Sequence, residues 1–264
     1  MGRRAFYKGI IQFGSIAVPV KLYAAIEDRN IHFHTIHDQD KVRLKQQMVC
    51  LAEDKPVESD ELVKGLQVGQ DEYVRVEPQQ LDELAPESSR VIEVKRFVSP
   101  EQIDPRYYDR PYHLGPDGDV DAYRLLRRGL AKTKRVGICS WTMRKRDYDG
   151  VLELSGQTLG LVTLHYPDEV AEVNQLDLPK PEVKAAERKT ARYLIDELAD
   201  AFQPEQYDDE FRRRLAELVR TKAEGKTPKP KKIKQAPPEV PDDLQAALEA
   251  SLQQARKNKQ KSKG

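Results

Sequence analysis

The chain has 264 residues, of which 38% are hydrophobic and 34% are charged, and its formal net charge is +1. Because globular domains average about 45–50% apolar and about 25% charged residues, we expect part of this chain to lie outside a packed core. No run approaches the roughly 18 consecutive apolar residues of a membrane helix, which argues against a membrane span and predicts a cytoplasmic protein.

Short segments that alternate between apolar and polar residues predict a β-rich body, because side chains in a strand point to opposite faces in turn. The predicted strands are residues 9–13, 17–26, 31–37, 73–76, 91–98, 136–143, 151–154 and 161–166. Pro19 lacks the N–H group that a sheet ladder needs, so its strand is expected at an edge or at a bulge. We therefore favour a closed or partly closed barrel over an open sheet.

Helical spacing replaces this alternation in three places. Residues 119–132 repeat apolar side chains every three or four positions and predict one helix inside the β region. After Pro181, residues 183–201 and 211–219 each carry an apolar stripe that predicts an amphipathic helix. These two helices either pack on their own barrel or form an arm laid over a partner subunit, and the sequence leaves both arrangements open.

The end of the chain is basic. Residues 221–264 hold 11 Lys and Arg against five Asp and Glu, while residues 1–220 hold 34 against 39. Five lysines within residues 226–234, followed by Pro237, Pro238 and Pro241, predict a disordered linker. A short helix is predicted for residues 242–256, with Asp242 as its N-cap and a leucine seam at Leu244, Leu248 and Leu252. The seam suits either a docking peptide or a frayed spacer.

Motifs for catalysis are missing from the sequence. Residues 9–15 have the glycine spacing of a phosphate loop but no following lysine, and no Gly-x-Ser-x-Gly, Gly-x-Gly-x-x-Gly or His-Glu-x-x-His motif occurs. His32, His34 and His37 would share a strand face suited to zinc or to ordinary hydrogen bonding. Cys50 has no second thiolate at metal-binding spacing. We predict no catalytic residue, no metal and no cofactor.

Basic residues are the stronger functional signal. Lys41, Arg43 and Lys45 alternate with uncharged residues, so a strand there would place all three charges on one face. Two further groups flank the strand predicted for residues 136–143. They are Lys132, Lys134 and Arg135 on one side, and Arg144, Lys145 and Arg146 on the other. Such rows suit a nucleic-acid phosphate track, and the alternative is a solvated surface.

Residues 7–23, YKGIIQFGSIAVPVKLY, resemble the opening of the prokaryotic Ku family, the DNA-end-binding proteins of bacterial non-homologous end joining. Further matches follow in the family's order at residues 33–37, 92–94, 97–98, 103–105, 109–112, 200–204 and 221–225. The resemblance covers about residues 5–226. It departs at Tyr7, where the family often has Trp, and at Glu53, where many members have the second Cys of a Cys-x-x-Cys pair.

The resemblance implies a β-barrel core over residues 1–181, with a DNA-bridging strand segment at about residues 30–77. A helical dimerisation arm (residues 182–225) and a disordered basic tail (residues 226–264) follow. It also implies a homodimeric ring that is threaded by double-stranded DNA ends, has no catalytic activity, recruits an ATP-dependent DNA ligase and associates with the nucleoid.

Two sets of site residues follow from these expectations. The expected DNA-binding residues are Lys41, Arg43, Lys45, Lys132, Lys134, Arg135, Arg144, Lys145, Arg146, Lys229, Lys231, Lys232 and Lys234. The expected dimer interface comprises Leu194, Leu198, Phe211, Leu215 and Leu218. Two other classes stay open: a nonspecific single-stranded DNA or RNA-binding barrel, and a metal-dependent nuclease with clustered carboxylates.

Overall fold

The computed structural model describes residues 4–87, 89–172, 183–226 and 243–261. Contacts divide the chain into two compact units: unit 1 is Met1–Val173 and unit 2 is Asn174–Gly264. None of the helices in the described ranges is long and apolar enough to cross a membrane.

Unit 1 contains eleven strands and two α-helices in its described residues. The strands are β1 (Tyr7–Phe13), β2 (Ile16–Ala24), β3 (Val49–Cys50), β4 (Lys55–Pro56), β5 (Lys64–Gly69), β6 (Glu72–Val76), β7 (Val91–Val98), β8 (Tyr108–Pro116), β9 (Val136–Met143), β10 (Arg146–Ser155) and β11 (Thr158–Leu164). The helices are α1 (Pro78–Leu84) and α2 (Val120–Thr133).

Seven of these strands form a closed barrel in the order β1-β2-β8-β11-β10-β9-β7. The barrel closes through a parallel pairing of β1 with β7, in which Ile10 lies opposite Val91. The other neighbouring strands in the barrel pair antiparallel. The structure confirms the predicted mainly β barrel and the predicted helix near residues 119–132, but α1 is a second helix in the β region that the sequence pattern did not reveal.

Alternation along the strands fills the barrel interior. Val18, Val20 and Leu22 of β2 are fully buried. Pro19, between them, lies in a strand that is flanked on both sides, so the prediction of an edge strand was wrong. The Pro19 carbonyl accepts a hydrogen bond from the Asp117 N–H, just past the end of β8. The N–H group that Pro19 lacks therefore affects only the end of the β2–β8 pairing.

Residues 31–37 do not form a strand, although they alternate. The structure has only an isolated bridge there, between Ile36 and Arg43, and the Phe33 side chain is exposed. No second sheet covers the apolar side chains of this segment, so the alternating pattern does not produce a regular strand. Conversely, β8 was not predicted, because Pro111 and Pro116 interrupt its pattern and Leu114 is its one buried residue.

The segment between β2 and β7 leaves and rejoins the barrel on either side of β1. Its four strands form two separate two-stranded sheets, β3-β4 and β5-β6. None of residues 26–76 is buried. This excursion therefore has no hydrophobic core of its own in the single chain.

Unit 2 contains α3 (Ala185–Leu198), α4 (Glu210–Ala223) and α5 (Leu244–Lys261). Helix α5 packs against α3: Gln245 Nε2 donates to Thr190 Oγ1 at 3.4 Å, and Lys259 Nζ donates to the Glu197 carbonyl at 3.1 Å. The helix predicted for residues 242–256 thus begins later and continues to residue 261. The carboxylate of Asp243, the residue before the helix, accepts a hydrogen bond from the Ala246 N–H. Asp242, the predicted N-cap, lies outside the described residues.

Candidate nucleic-acid interface

The segment that carries Lys41, Arg43 and Lys45 is an irregular hairpin. His37 N–H donates to the Val42 carbonyl at 2.8 Å, and Leu44 N–H donates to the Thr35 carbonyl at 3.1 Å. Lys41 has a φ of 61° at the turn between the two paired stretches. This left-handed residue breaks the extended backbone, so the prediction of a regular strand with three charges on one face was wrong.

The three cations of this hairpin differ in their surroundings. Lys41 Nζ lies 2.5 Å from the Asp38 carboxylate and forms an ion pair with it. Arg43 and Lys45 are exposed and have no ion pair among the described residues. The hairpin therefore presents two free cations and one that is already neutralised.

Asp40, next to the turn, is held in the ionised form. The Val42 N–H donates to the Asp40 carboxylate at 3.0 Å, and His37 Nδ1 lies 3.0 Å from the same group. The Val42 hydrogen bond, followed by that of His37, lowers the pKa of Asp40. The turn is thus fixed by its own side chains, while Arg43 and Lys45 stay available to an anion.

Arg144 and Lys145 form the two-residue turn between β9 and β10. Their φ values are 54° and 62°, which is the type I′ geometry of tight hairpins. The Arg144 guanidinium lies 6.0 Å from the centre of the Phe6 ring, and Lys145 Nζ lies 2.5 Å from the Asp82 carboxylate. Lys145 thereby links the turn to α1, and Arg146 begins β10 with an exposed side chain.

Lys132, Lys134 and Arg135 lie at the other end of β9. Lys134 is the left-handed C-cap of α2, with a φ of 52°. Since β9 has eight residues, the two basic groups are separated by roughly 25 Å along the strand. The structure therefore does not gather the predicted cations into one pocket, and only an extended ligand would reach both groups.

The remaining predicted cations, Lys229, Lys231, Lys232 and Lys234, lie outside the described residues. Four further exposed cations were not among the predicted residues: Arg124 and Arg128 on α2, and Arg188 and Arg192 on α3. The sequence of α2 does indicate a basic surface, because every charged residue of this helix after Asp121 is basic.

The expected interface residues divide by exposure. Leu198 and Phe211 are exposed, whereas Leu194, Leu215 and Leu218 are half-buried. Leu194 shares its helix face with Thr190 and Glu197, the residues of α3 that contact α5. Part of the expected dimer stripe is therefore covered within unit 2.

The described residues contain no cluster of three or more His, Cys, Asp or Glu side chains placed to hold a metal ion. His32 and His37 instead lie near Asp28 and Asp40, at 3.4 and 3.0 Å. Burial raises the pKa of the Cys139 thiol to about 12. That thiol is protonated at neutral pH and is a core side chain, not a nucleophile.

Comparison with known proteins gives one consistent family. The family model described as Ku70/Ku80 beta-barrel domain matches residues 12–192. Non-homologous end joining protein Ku 2 of Geotalea uraniireducens is 41% identical over 252 residues, which cover 96% of this chain and 98% of that protein. The Ku proteins of Bacillus subtilis (36%, covering 95% and 82%) and Solibacter usitatus (34%, covering 98% and 96%) are similar over comparable lengths.

Proposed function

This chain belongs to the Ku family of non-homologous end joining proteins, and from that premise we propose that it is a homodimeric ring. The ring binds double-stranded DNA ends without reading their sequence and acts in double-strand break repair, in association with the nucleoid. The observation that carries the proposal is the match to end-joining relatives over nearly the full chain.

The excursion of residues 26–76 supports the ring. It leaves the closed barrel, has no buried residue and exposes large apolar side chains such as Phe33, Leu51 and Leu66. Such a segment needs a partner to cover it, and a second copy that meets it would close a bridge over a duplex. Its free cations, Arg43 and Lys45, then face phosphates.

Binding by a closed ring requires no base contact. Cations that neutralise phosphates supply affinity for any sequence, and threading restricts entry to a DNA end. The protein therefore acts as a clamp rather than a catalyst. Recruitment of an ATP-dependent DNA ligase to the clamped end completes the proposed role.

The test compares one duplex as a linear fragment and as a covalently closed circle. We expect stable binding of the linear form and little retention on the circle at moderate salt. Equal retention on both forms would contradict threading. Preference for a closed single-stranded circle would instead favour the single-stranded DNA or RNA-binding alternative, and release of nucleotides with Mg²⁺ would indicate a nuclease.

A further inference from the structure

Helix α2 carries a row of cations on the side that faces away from the barrel. Tyr123 and Leu130 of this helix are buried. Arg124, Arg128 and Lys132 follow one another at intervals of four residues, so they share one face of the helix, and all three are exposed. At about 3.6 residues per turn, that face lies opposite the buried one. These three residues are the α2 cation row.

The α2 cation row is not neutralised by other side chains of the described residues. Its members form no ion pair there, and residues 122–135 hold six Lys and Arg but no Asp or Glu. Asp121, just before the row, is the only acid within α2. Residues 1–220 as a whole hold 34 basic and 39 acidic residues, so the positive surface is local and does not reflect the composition of the chain.

Helix α2 and the excursion of residues 26–76 meet the barrel at opposite ends. The helix ends three residues before Val136, which pairs with Val98 at the end of β7. The excursion returns to the barrel through α1, at the other end of β7, where Val91 begins the strand. Because β7 has eight residues, roughly 25 Å of strand separates these two positions.

We propose that the α2 cation row binds a second DNA duplex, distinct from the one that is threaded through the ring. This inference rests on the proposed function, which assigns the first duplex to the excursion. Arg124 and Lys132 are eight residues apart, an axial distance of about 12 Å on the helix. One strand of a duplex presents a phosphate about every 3.4 Å along its axis, so the row can follow about three or four phosphates without reading a base.

A protein partner fits the α2 cation row less well. Protein interfaces bury a core that is depleted in charged residues, and the row consists of charged side chains alone. Leu125, beside the row, belongs to the apolar groove that Phe13 and Phe97 line. A ring that is threaded on one duplex and holds another on α2 would bring two DNA molecules together, which suits a protein that acts where ends are joined.

The test loads the full-length protein on an immobilised linear duplex and then adds a labelled, covalently closed circular duplex at low salt. The circle has no end to thread, so protein that captures it holds it outside the ring. The row variant carries Arg124→Gln, Arg128→Gln and Lys132→Gln. The matched control carries Arg124→Lys, Arg128→Lys and Lys132→Arg, which keep the charge.

We expect the row variant to load on the linear duplex like the wild type but to capture at least about fivefold less circle. The slope of log capture against log salt should fall by about 2.7, from about 0.9 for each of the three phosphate contacts that are lost. The charge-preserving control should capture the circle like the wild type. Unchanged loading on the linear duplex also shows that the row variant is folded.

The basic tail also contributes cations, so the comparison is repeated in a chain whose Lys229, Lys231, Lys232 and Lys234 are changed to Gln. Capture by this chain should depend more strongly on the α2 cation row, because fewer other cations are left to hold the circle. The row substitutions should therefore cause a larger fractional loss of capture in this background than in the wild type.

Three results would overturn the inference. Circle capture that does not change in the row variant would show that α2 binds no DNA, and an equal loss in the charge-preserving control would show that charge is not the cause. A parallel loss of linear loading and circle capture would place the row on the path of the threaded duplex. Failure of the proposed function looks different: the wild type would then retain linear and circular DNA equally at moderate salt, whereas failure of the row leaves the preference for ends intact.

Discussion

The Tyr123 hydroxyl lies 2.6 Å from the Leu114 carbonyl oxygen and donates a hydrogen bond to it. The Tyr123 hydroxyl oxygen in turn accepts a hydrogen bond from the Leu159 N–H at 2.8 Å. One buried side chain of α2 thus joins β8 to β11 in the barrel wall. Because Leu114 and Leu159 are fully buried, no solvent replaces these contacts if the hydroxyl is removed.

We therefore expect Tyr123→Phe to lower the free energy of unfolding by about 1–3 kcal/mol, since it leaves a buried donor and a buried acceptor unsatisfied. Urea unfolding followed by circular dichroism measures the change. The matched control is Tyr73→Phe on β6, where the ring is exposed and the effect should be within about 0.5 kcal/mol. Equal effects of the two substitutions would mean that the Tyr123 bonds do not contribute to stability.

The buried thiol of Cys139 should make the folded protein less stable at alkaline pH. Burial raises the pKa of its thiol from 9.0 to about 12 in the folded state, so the unfolded chain releases this proton first as pH rises. The stabilisation is complete below pH 9 and falls between pH 9 and about 12, with a slope that approaches about 1.4 kcal/mol per pH unit. Cys139→Ala should have a shallower pH dependence above pH 9 in denaturant unfolding. Parallel curves for the two proteins would contradict the role of this thiol.

Arg43→Glu with Lys45→Glu should weaken binding to a duplex of any sequence and reduce its salt dependence by about 0.9 log unit for each lost phosphate contact. Fluorescence anisotropy at several salt concentrations measures the slope. Lys41→Glu is the control on the same hairpin, because Asp38 already pairs with Lys41 and less is lost. If the slope does not change, the hairpin lies outside the DNA path. If Lys41→Glu weakens binding as much as the other changes, the pairing with Asp38 does not keep Lys41 from DNA.

Changing Lys229, Lys231, Lys232 and Lys234 together to Gln should lower retention on linear DNA at moderate salt while preserving the preference for ends. A tethered basic segment raises the effective concentration of cations near the duplex but does not contribute to threading. This variant is cleaner than removal of residues 226–264, which would also remove α5 from α3. Replacement of the same four lysines by Arg keeps the charge and should keep retention. Unchanged retention of the Gln variant would remove the tail from DNA binding.

Helix α5 should detach from α3 when Leu248 and Leu252, which are half-buried, are changed to Ser. We expect faster amide hydrogen exchange in α5 and unchanged DNA binding, since isolated helices of this length are marginal in water. Leu244→Ser, at a more exposed position, should have a smaller effect. Reduced stimulation of the ligase by the double variant would support recruitment through this helix, and unchanged ligation would leave α5 a structural role alone.

The sequence predicts the barrel well because its strands bury one face. Val18, Val20 and Leu22 alternate with polar or proline neighbours, and burial inside a closed sheet is what that pattern reflects. The same alternation at residues 31–37 predicted a strand that is absent. The pattern in one chain does not show whether a second surface exists to cover the apolar side chains.

The candidate site was less predictable for similar reasons. The spacing of Lys41, Arg43 and Lys45 could not reveal the left-handed turn at Lys41 or its pairing with Asp38. The leucine seam of α5 looks the same whether it meets a ligase, α3 or solvent. Positions of charges are visible in a sequence, but their partners are set by tertiary contacts.

The excursion between β2 and β7 has consequences for how this protein tolerates change in length. Both of its ends flank β1, in which Ile10 N–H donates to the Arg90 carbonyl at 2.8 Å, and two sheet spacings place β2 and β7 about 10 Å apart. A loop with fixed, close ends affects stability only through the logarithm of its length, about 0.6 kcal/mol for each doubling. Insertions and deletions within residues 26–76 are thus nearly neutral for the barrel, and the excursion can change in length without any change to the fold that anchors it.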